Sequence, residues 1–237
     1  MPGRARTLSQ LVAGLRPELG DPAALISAAR VEVDGVTVTN PRSRVRPGTS
    51  VVVRPPPGLR GEVKLRAALE TFAISVVGRV ALDVGAAAGG FTRVLLEAGA
   101  RRVYAVDAGH GQLLGSLRQD ARVVNLEATN VAVLTPALIP ETVEVVTIDV
   151  SYLSLSSAVA QLGGVDLAPG AHVVGLIKPM FELRLARAPA NPMELARARR
   201  AAEQGLAAAG WEVDGVVDSP VPGSRGAAEM LIHAVRP

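Results

Sequence analysis

Apolar positions along this chain follow one rhythm up to about residue 58 and another beyond it. In the first stretch, Leu8 to Leu15 and Pro22 to Ala29 read as two short helices. Val31 to Val38 then alternates strictly around Asp34-Gly35, the signature of a two-residue hairpin turn. A further extended run, Ser50 to Arg54, ends in Pro55-Pro56-Pro57-Gly58, a stiff linker. The spacing therefore predicts a small α+β module over 1–54, a linker over 55–61 and a larger domain over 62–237. In that domain strand-length apolar runs alternate with helical patterns. The strands are Val80 to Val84, Val103 to Val106, Val123 to Leu126, Val143 to Ile148 and Val173 to Ile177, with weaker ones at Trp211 to Val217 and Met230 to Val235. Helices are expected over Thr92 to Ala98, Gly111 to Gln119 and Met193 to Ala209. This order predicts an α/β fold with a doubly wound, mostly parallel, Rossmann-like sheet that takes ligands at the carboxyl ends of its strands.

Composition narrows the chemistry. Aromatic residues are only 3% of the chain, so the core must be built from Ala, Val and Leu. Cysteine is absent, which excludes disulfides, thiolate catalysis and zinc–cysteine sites. No apolar run approaches the ~20 residues that span a bilayer. No apolar stretch follows the N-terminal arginines to make a secretory signal, so a cytoplasmic location is expected. Residues 1–66 hold 11 Arg or Lys against 5 Asp or Glu, and residues 67–237 hold 14 against 17. A basic module ahead of a mildly acidic domain suggests an anionic partner such as nucleic acid.

The cations themselves are unequal. The chain has 23 arginines and only two lysines, Lys64 and Lys178. A guanidinium stays protonated, whereas a crowded or buried ammonium can release its proton and act as a base. Lys178 ends a buried apolar run, and Lys64 precedes the apolar face of a short helix. Placement alone leaves structural ion pairs and active-site chemistry equally open.

The first strand of the larger domain runs into Asp83-Val84-Gly85-Ala86-Ala87-Ala88-Gly89-Gly90-Phe91. Small residues there admit a ligand to the backbone, and the next helix offers free amide donors. Asp107 ends the second strand, where a carboxylate can accept both hydroxyls of a nucleoside ribose. The spacing is Gly-x-x-x-Gly, not the Gly-x-Gly-x-x-Gly of dinucleotide sites. With Asp83 beside the turn to meet an ammonium or amino-acid group, the pattern favours S-adenosylmethionine over a dinucleotide. Asp149 and Lys178 end two further strands at the same edge, and Glu229 precedes the last one. His110, His172 and His233 have no metal-site spacing and are expected to be structural, so no metal is expected.

These stretches together resemble the TlyA (haemolysin A-like) family. The match runs through Val80 to Thr92, Val103 to Leu113, Thr147 to Leu155 and Ile177 to Glu182. That family consists of ribosomal-RNA 2′-O-methyltransferases with an S4-like RNA-binding domain before an FtsJ-like methyltransferase domain. The resemblance implies a Lys-Asp-Lys-Glu tetrad on Lys64, Asp149, Lys178 and Glu229, with Lys178 as general base. It implies S-adenosylmethionine as cofactor, with Gly85, Ala86 and Gly89 at its amino-acid end and Asp83, Gly90 and Phe91 also among its binding residues. Asp107 is expected at its ribose, and Glu127 or Asn130 at its adenine side. Ribosomal RNA or ribosomal subunits are the implied partner, with cytidine as the implied target.

Two departures from the family shape the expectations. The second helix of the small module lacks the family's Arg and Lys residues, so phosphate contacts are expected from Arg42, Arg44 and Arg46. Leu183 to Pro189 stands where the family has a glycine-rich loop, which bears on substrate choice. The competing expectations are an RNA-binding ribosome-assembly protein that keeps the fold without strong catalysis, and a small-molecule methyltransferase. A pore-forming role lacks any membrane-length or strongly amphipathic basic segment.

Overall fold

The computed structural model describes residues 6–19, 21–53, 58–187, 189, 191–223 and 226–237. The chain divides into two compact units after Gly58. The prolines of the expected linker, Pro55 to Pro57, lie outside the described residues. Arg60 and Gly61, assigned to that linker from sequence, instead form the first turn of a helix.

The first unit contains β1 (Arg6–Thr7), α1 (Leu8–Leu15), α2 (Pro22–Ser27), β2 (Val31–Val33), β3 (Val36–Thr37), β4 (Arg44–Val45) and β5 (Val51–Val53). Thr7 and Gln10 close a reciprocal capping box on α1, and Asp21 caps α2 ahead of Pro22. The hairpin turn is as expected: Asp34 and Gly35 both take positive φ, and Glu32 and Val33 pair with Thr37 and Val36. Leu8, Val12, Ile26 and Val31 are wholly buried and make the core of this unit. Arg42, Arg44 and Arg46 are all exposed, with Val45 turned inward between the last two.

The second unit contains α3 (Arg60–Thr71), β6 (Val80–Val84), α4 (Gly90–Glu97), β7 (Arg102–Val106), α5 (Gly115–Arg118), β8 (Val123–Leu126) and β9 (Val143–Ile148). It continues through α6 (Leu155–Ala160), β10 (Leu167–Ile177), α7 (Pro179–Glu182), α8 (Pro192–Ala208), β11 (Glu212–Asp218) and β12 (Met230–Val235). The sheet order is β11-β12-β10-β9-β6-β7-β8. Only β12 runs antiparallel to its neighbours. On β6, Val80, Leu82 and Val84 face a core with Leu155, Ala202, Leu206 and Trp211, while Ala81 faces a second core with Leu65, Phe91 and Leu95. Helices thus cover both faces, the doubly wound arrangement expected from sequence. Each fully buried Val or Leu contributes ~1.5–3 kcal/mol relative to its exposed state, so a core with few aromatics is sufficient.

The order of strands reverses between β6 and β9, which opens a crevice at their carboxyl ends. Differences from the sequence reading lie away from this point. β10 begins at Leu167, well before Val173, and its register shifts between Leu167 and His172 around exposed Pro169 and Gly170. Of the helix expected over Gly111 to Gln119, only α5 is helical. The preceding residues form a loop with Gly111 at φ +68°.

Candidate active site

The site is assembled by backbone crowding at the strand-order reversal. After β6 the chain turns at Gly85, whose φ is +88°. A Cβ at that position would lie 2.5 Å from the carbonyl oxygen of Asp149, so only glycine permits this approach. Gly90 opens α4 against α3, where an added Cβ would lie 3.2 Å from the Glu62 nitrogen. That contact brings the first turns of α3, and with them Lys64, to the glycine turn.

Four charged side chains meet there. Lys64 Nζ donates to Glu229 Oε2 at 2.6 Å and lies 4.0 Å from Asp149 Oδ2. Lys178 Nζ pairs with Asp149 Oδ1 at 2.6 Å. The result is a chain of alternating charge, Glu229–Lys64–Asp149–Lys178. Its inner end is deep: the Lys64 and Glu229 side chains are 6% and 7% exposed, against 13% for Lys178 and 21% for Asp149. Lys178 also donates to the Val150 carbonyl and to Ser151 Oγ, each at 2.9 Å. All three ammonium protons therefore have acceptors.

A cavity of about 250 Å³ collects these four residues together with Gly85, Ala86, Gly90 and Phe91. The remaining residues expected around a cofactor support this pocket without lining it. Asp83, expected beside a ligand's ammonium, is wholly buried instead, accepting from Thr92 Oγ1 at 2.7 Å and Thr147 Oγ1 at 2.9 Å. It ties β6 to α4 and β9. Gly89 starts α4 at φ +94°, where a Cβ would strike Leu117 and Leu113. Asp107 accepts from the backbone of Ala87 at 2.8 Å and Gly109 at 2.7 Å, fastening the end of β7 to the glycine turn.

Glu127 and Asn130, expected at an adenine, bond to local backbone. Glu127 accepts from the amides of Gln112 and Leu113, and from Asn125 Nδ2 at 2.9 Å. The hydrogen bonds from Asn125 and these amides hold its carboxyl down at about 2. Asn130 caps the short 3-10 turn Val131–Val133 by accepting from the Ala132 amide.

Sequence reasoning missed Leu59, Arg60, Gly61, Ser151 and Gly223, which also line the cavity. Ser151 was within reach, being two residues beyond Asp149 on the same strand end. Gly223 carries no local signal; its meaning is steric, because a Cβ there would lie 2.1 Å from Glu229 Oε1. Among the described residues, no group of three His, Cys, Asp or Glu side chains could hold a metal ion. His172 and His233 stack and share a 3.0 Å contact, and His233 reaches Asp214 at 2.9 Å.

Comparison with known proteins bears on this geometry. The family model for FtsJ-like methyltransferase matches residues 59–236, the whole of the second unit but its last residue. A Mycobacterium tuberculosis protein named 16S/23S rRNA (cytidine-2′-O)-methyltransferase TlyA is 40% identical, over 98% of this chain and 90% of its own length. This chain belongs to the TlyA family of FtsJ-like methyltransferases. A solved hemolysin-type structure from Streptococcus thermophilus superposes with a TM-score of 0.72 at 29% identity, covering 100% of this chain and 89% of that one. Another, from Lactococcus lactis, gives 0.72 at 33% identity over 76% of this chain and 88% of its own.

The methyl donor of FtsJ-like methyltransferases is S-adenosylmethionine, and it is the cofactor of this methyltransferase. The cavity suits the charged amino-acid end of such a molecule. One wall is the small-residue turn Gly85 to Ala88, and the opposing residues supply both acids and cations for a ligand that carries both charges. Among the described residues, no helix is long and apolar enough to cross a membrane.

Asp83 gives the methyltransferase fold a measurable pH signature. Burial pushes its carboxyl up from 3.8 to about 6 despite the two threonine hydroxyls. The folded chain thus holds this proton more tightly than the unfolded chain does. Stability from this group is fully present below about pH 3.8 and is lost as pH rises through about 6, on the order of 3 kcal/mol in all. Asp83→Asn removes that titration. Between about pH 4 and about pH 7 the variant should gain on the parent by that amount in urea unfolding. A difference that stays flat across this window contradicts the upward displacement.

Proposed function

We propose that this protein is an S-adenosylmethionine-dependent ribose 2′-O-methyltransferase acting on ribosomal RNA, with cytidine as the target nucleoside. The observation that carries the reading is the unbroken charge chain Glu229–Lys64–Asp149–Lys178 along one wall of a cavity whose other wall is the glycine turn. The Mycobacterium tuberculosis relative, named for this reaction on 16S and 23S RNA, supports it over nearly the full chain.

A ribose hydroxyl is a poor nucleophile until its proton is leaving, so a base must lie within hydrogen-bond reach. When bound, S-adenosylmethionine supplies an electrophilic methyl group. In this reading Gly85, Ala86, Gly90 and Phe91 hold its amino-acid end, and the ribose extends beyond the cavity lining to Asp107. Lys178, in its neutral form, accepts the 2′-hydroxyl proton on Nζ. Asp149 fixes that nitrogen and receives the neighbouring charge of Lys64. Ser151 is the most exposed of the three partners of Lys178, and an incoming hydroxyl would take its place. Lys64, clamped by Glu229, holds the acid in line. Alignment of this kind can supply much of the acceleration without any covalent intermediate.

The test is labelled-methyl transfer from S-adenosylmethionine to ribosomal subunits and to free ribosomal RNA. Incorporation that protects one phosphodiester from alkaline cleavage is expected. RNA binding without any incorporation would instead support the ribosome-assembly reading, and incorporation into small molecules alone the third one.

The first unit, read as an S4-like RNA-binding module, supplies the anionic-partner side of the proposal. Arg42, Arg44 and Arg46 are its exposed phosphate contacts in this reading. Replacing all three with alanine should weaken RNA binding uniformly across sequences. It should also flatten the plot of log affinity against log salt by roughly two to three, about 0.7–0.9 for each phosphate no longer neutralised. An unchanged slope would assign RNA contact to other residues.

A further inference from the structure

The methyl-transfer cavity has a neighbour. A second cavity, of about 390 Å³, shares Ser151, Lys178 and Glu229 with it as a common wall. The two differ in character. The first presents the small-residue turn, whereas the second is walled by Pro179, Met180 and Phe181 on one side and by Ala227 and Ala228 on another. Arg187 also borders it, with its guanidinium donating to both Glu194 oxygens at 2.8 and 3.1 Å. Away from the shared wall, its lining is therefore mostly apolar, with a half-buried phenyl ring and a 38% exposed thioether.

An acceptor ribose with its hydroxyl at Lys178 Nζ must lie against the shared wall. Its own base, and the nucleotides on either side, extend only a few ångströms from there. A base that comes to rest beside the wall meets Phe181 and Met180, surfaces on which a planar ring packs by its face. We propose that the second cavity binds a nucleobase of the acceptor strand, stacked on Phe181 and Met180; this rests on the reading given under Proposed function. Recognition in such a slot is by shape and stacking, because its walls offer faces rather than hydrogen-bonding edges.

Ala228 is exposed, so Ala228→Trp fills the slot without entering the core. Full-length parent and variant are compared for methyl transfer over a range of RNA acceptor concentrations, with S-adenosylmethionine affinity measured by calorimetry. The expected result is a fall in kcat/KM of about tenfold or more, the scale of removing one base–aromatic stack, at unchanged cofactor affinity. Phe181→Leu, which keeps the slot open but removes the ring, should give the same direction through KM. Synthetic acceptors that lack the base at the target nucleoside, or at its neighbour, identify the occupant: the missing base that brings the parent down to the level of the variants is the one bound. The inference is overturned if the parent is active and both variants match its kcat/KM, or if neither abasic acceptor lowers the parent. A parent that transfers no methyl group to any RNA overturns the proposed function itself.

Discussion

Replacing Lys178 with alanine should abolish methyl transfer while leaving S-adenosylmethionine binding close to that of the parent. The side chain is at the outer end of the charge chain and contributes nothing to either core. Its removal frees Asp149 Oδ1 at a partly exposed position, a modest structural cost. In the proposed mechanism its chemical cost is the general base, worth roughly 10²–10⁴ in rate. Lys178→Arg sharpens the experiment. Arginine can pair with Asp149 yet cannot give up its proton at accessible pH, so it too should be inactive. Single-turnover transfer to ribosomal subunits, with cofactor binding measured in parallel, distinguishes the outcomes. An arginine variant working near the rate of the parent would exclude Lys178 as the proton acceptor and leave it a purely electrostatic role.

The inner lysine should behave differently. Lys64→Met strands Glu229, a carboxylate only 7% exposed, next to an apolar side chain. Removing one partner of a buried pair typically costs about 3–5 kcal/mol, because the remaining charge is no longer compensated. The variant is therefore expected to lose stability and activity together. Adding Glu229→Gln removes the stranded charge and should recover most of the stability. Transfer should remain absent, since the chain of alternating charge is still interrupted. Urea denaturation of the single and double variants gives the coupling between the two residues. If the double variant is no more stable than Lys64→Met, the 2.6 Å pair does not account for the cost.

What the sequence revealed and what it hid follow from the same physics. β6, β8, β9 and β12 have the expected limits because strand-length runs dominated by apolar residues, each broken by only one or two polar positions, leave little freedom. The start of β10 was hidden by Pro169 and Gly170, which argue against a strand until the register irregularity absorbs them. α6 and α7 were also hidden. The first is Ser-rich, and its first-turn amides donate to Ser154 Oγ and to Glu182, which is distant in sequence. In the site, the two lysines were conspicuous against an arginine-rich background, and small residues after a strand marked the turn. Asp83, Glu127 and Asn130 show the opposite limit. An acid or amide at a strand end signals that something is bonded there, yet only the fold tells whether the partner is a ligand or nearby backbone. Asp83 is spent on two buried hydroxyls, whereas Glu127 accepts from the Gln112 and Leu113 amides at a partly exposed position.

The contact between Gly85 and the Asp149 carbonyl also limits how this protein can diversify. With no room for even one methyl group, the turn facing the donor and the strand end bearing the acid cannot be adjusted separately. Any change of acceptor must therefore come from the walls that are free to vary, chiefly α7 and the segment after Glu182. On the proposed reading, the catalytic half of the pocket is locked by sterics, and the selective half is where new specificities can be engineered.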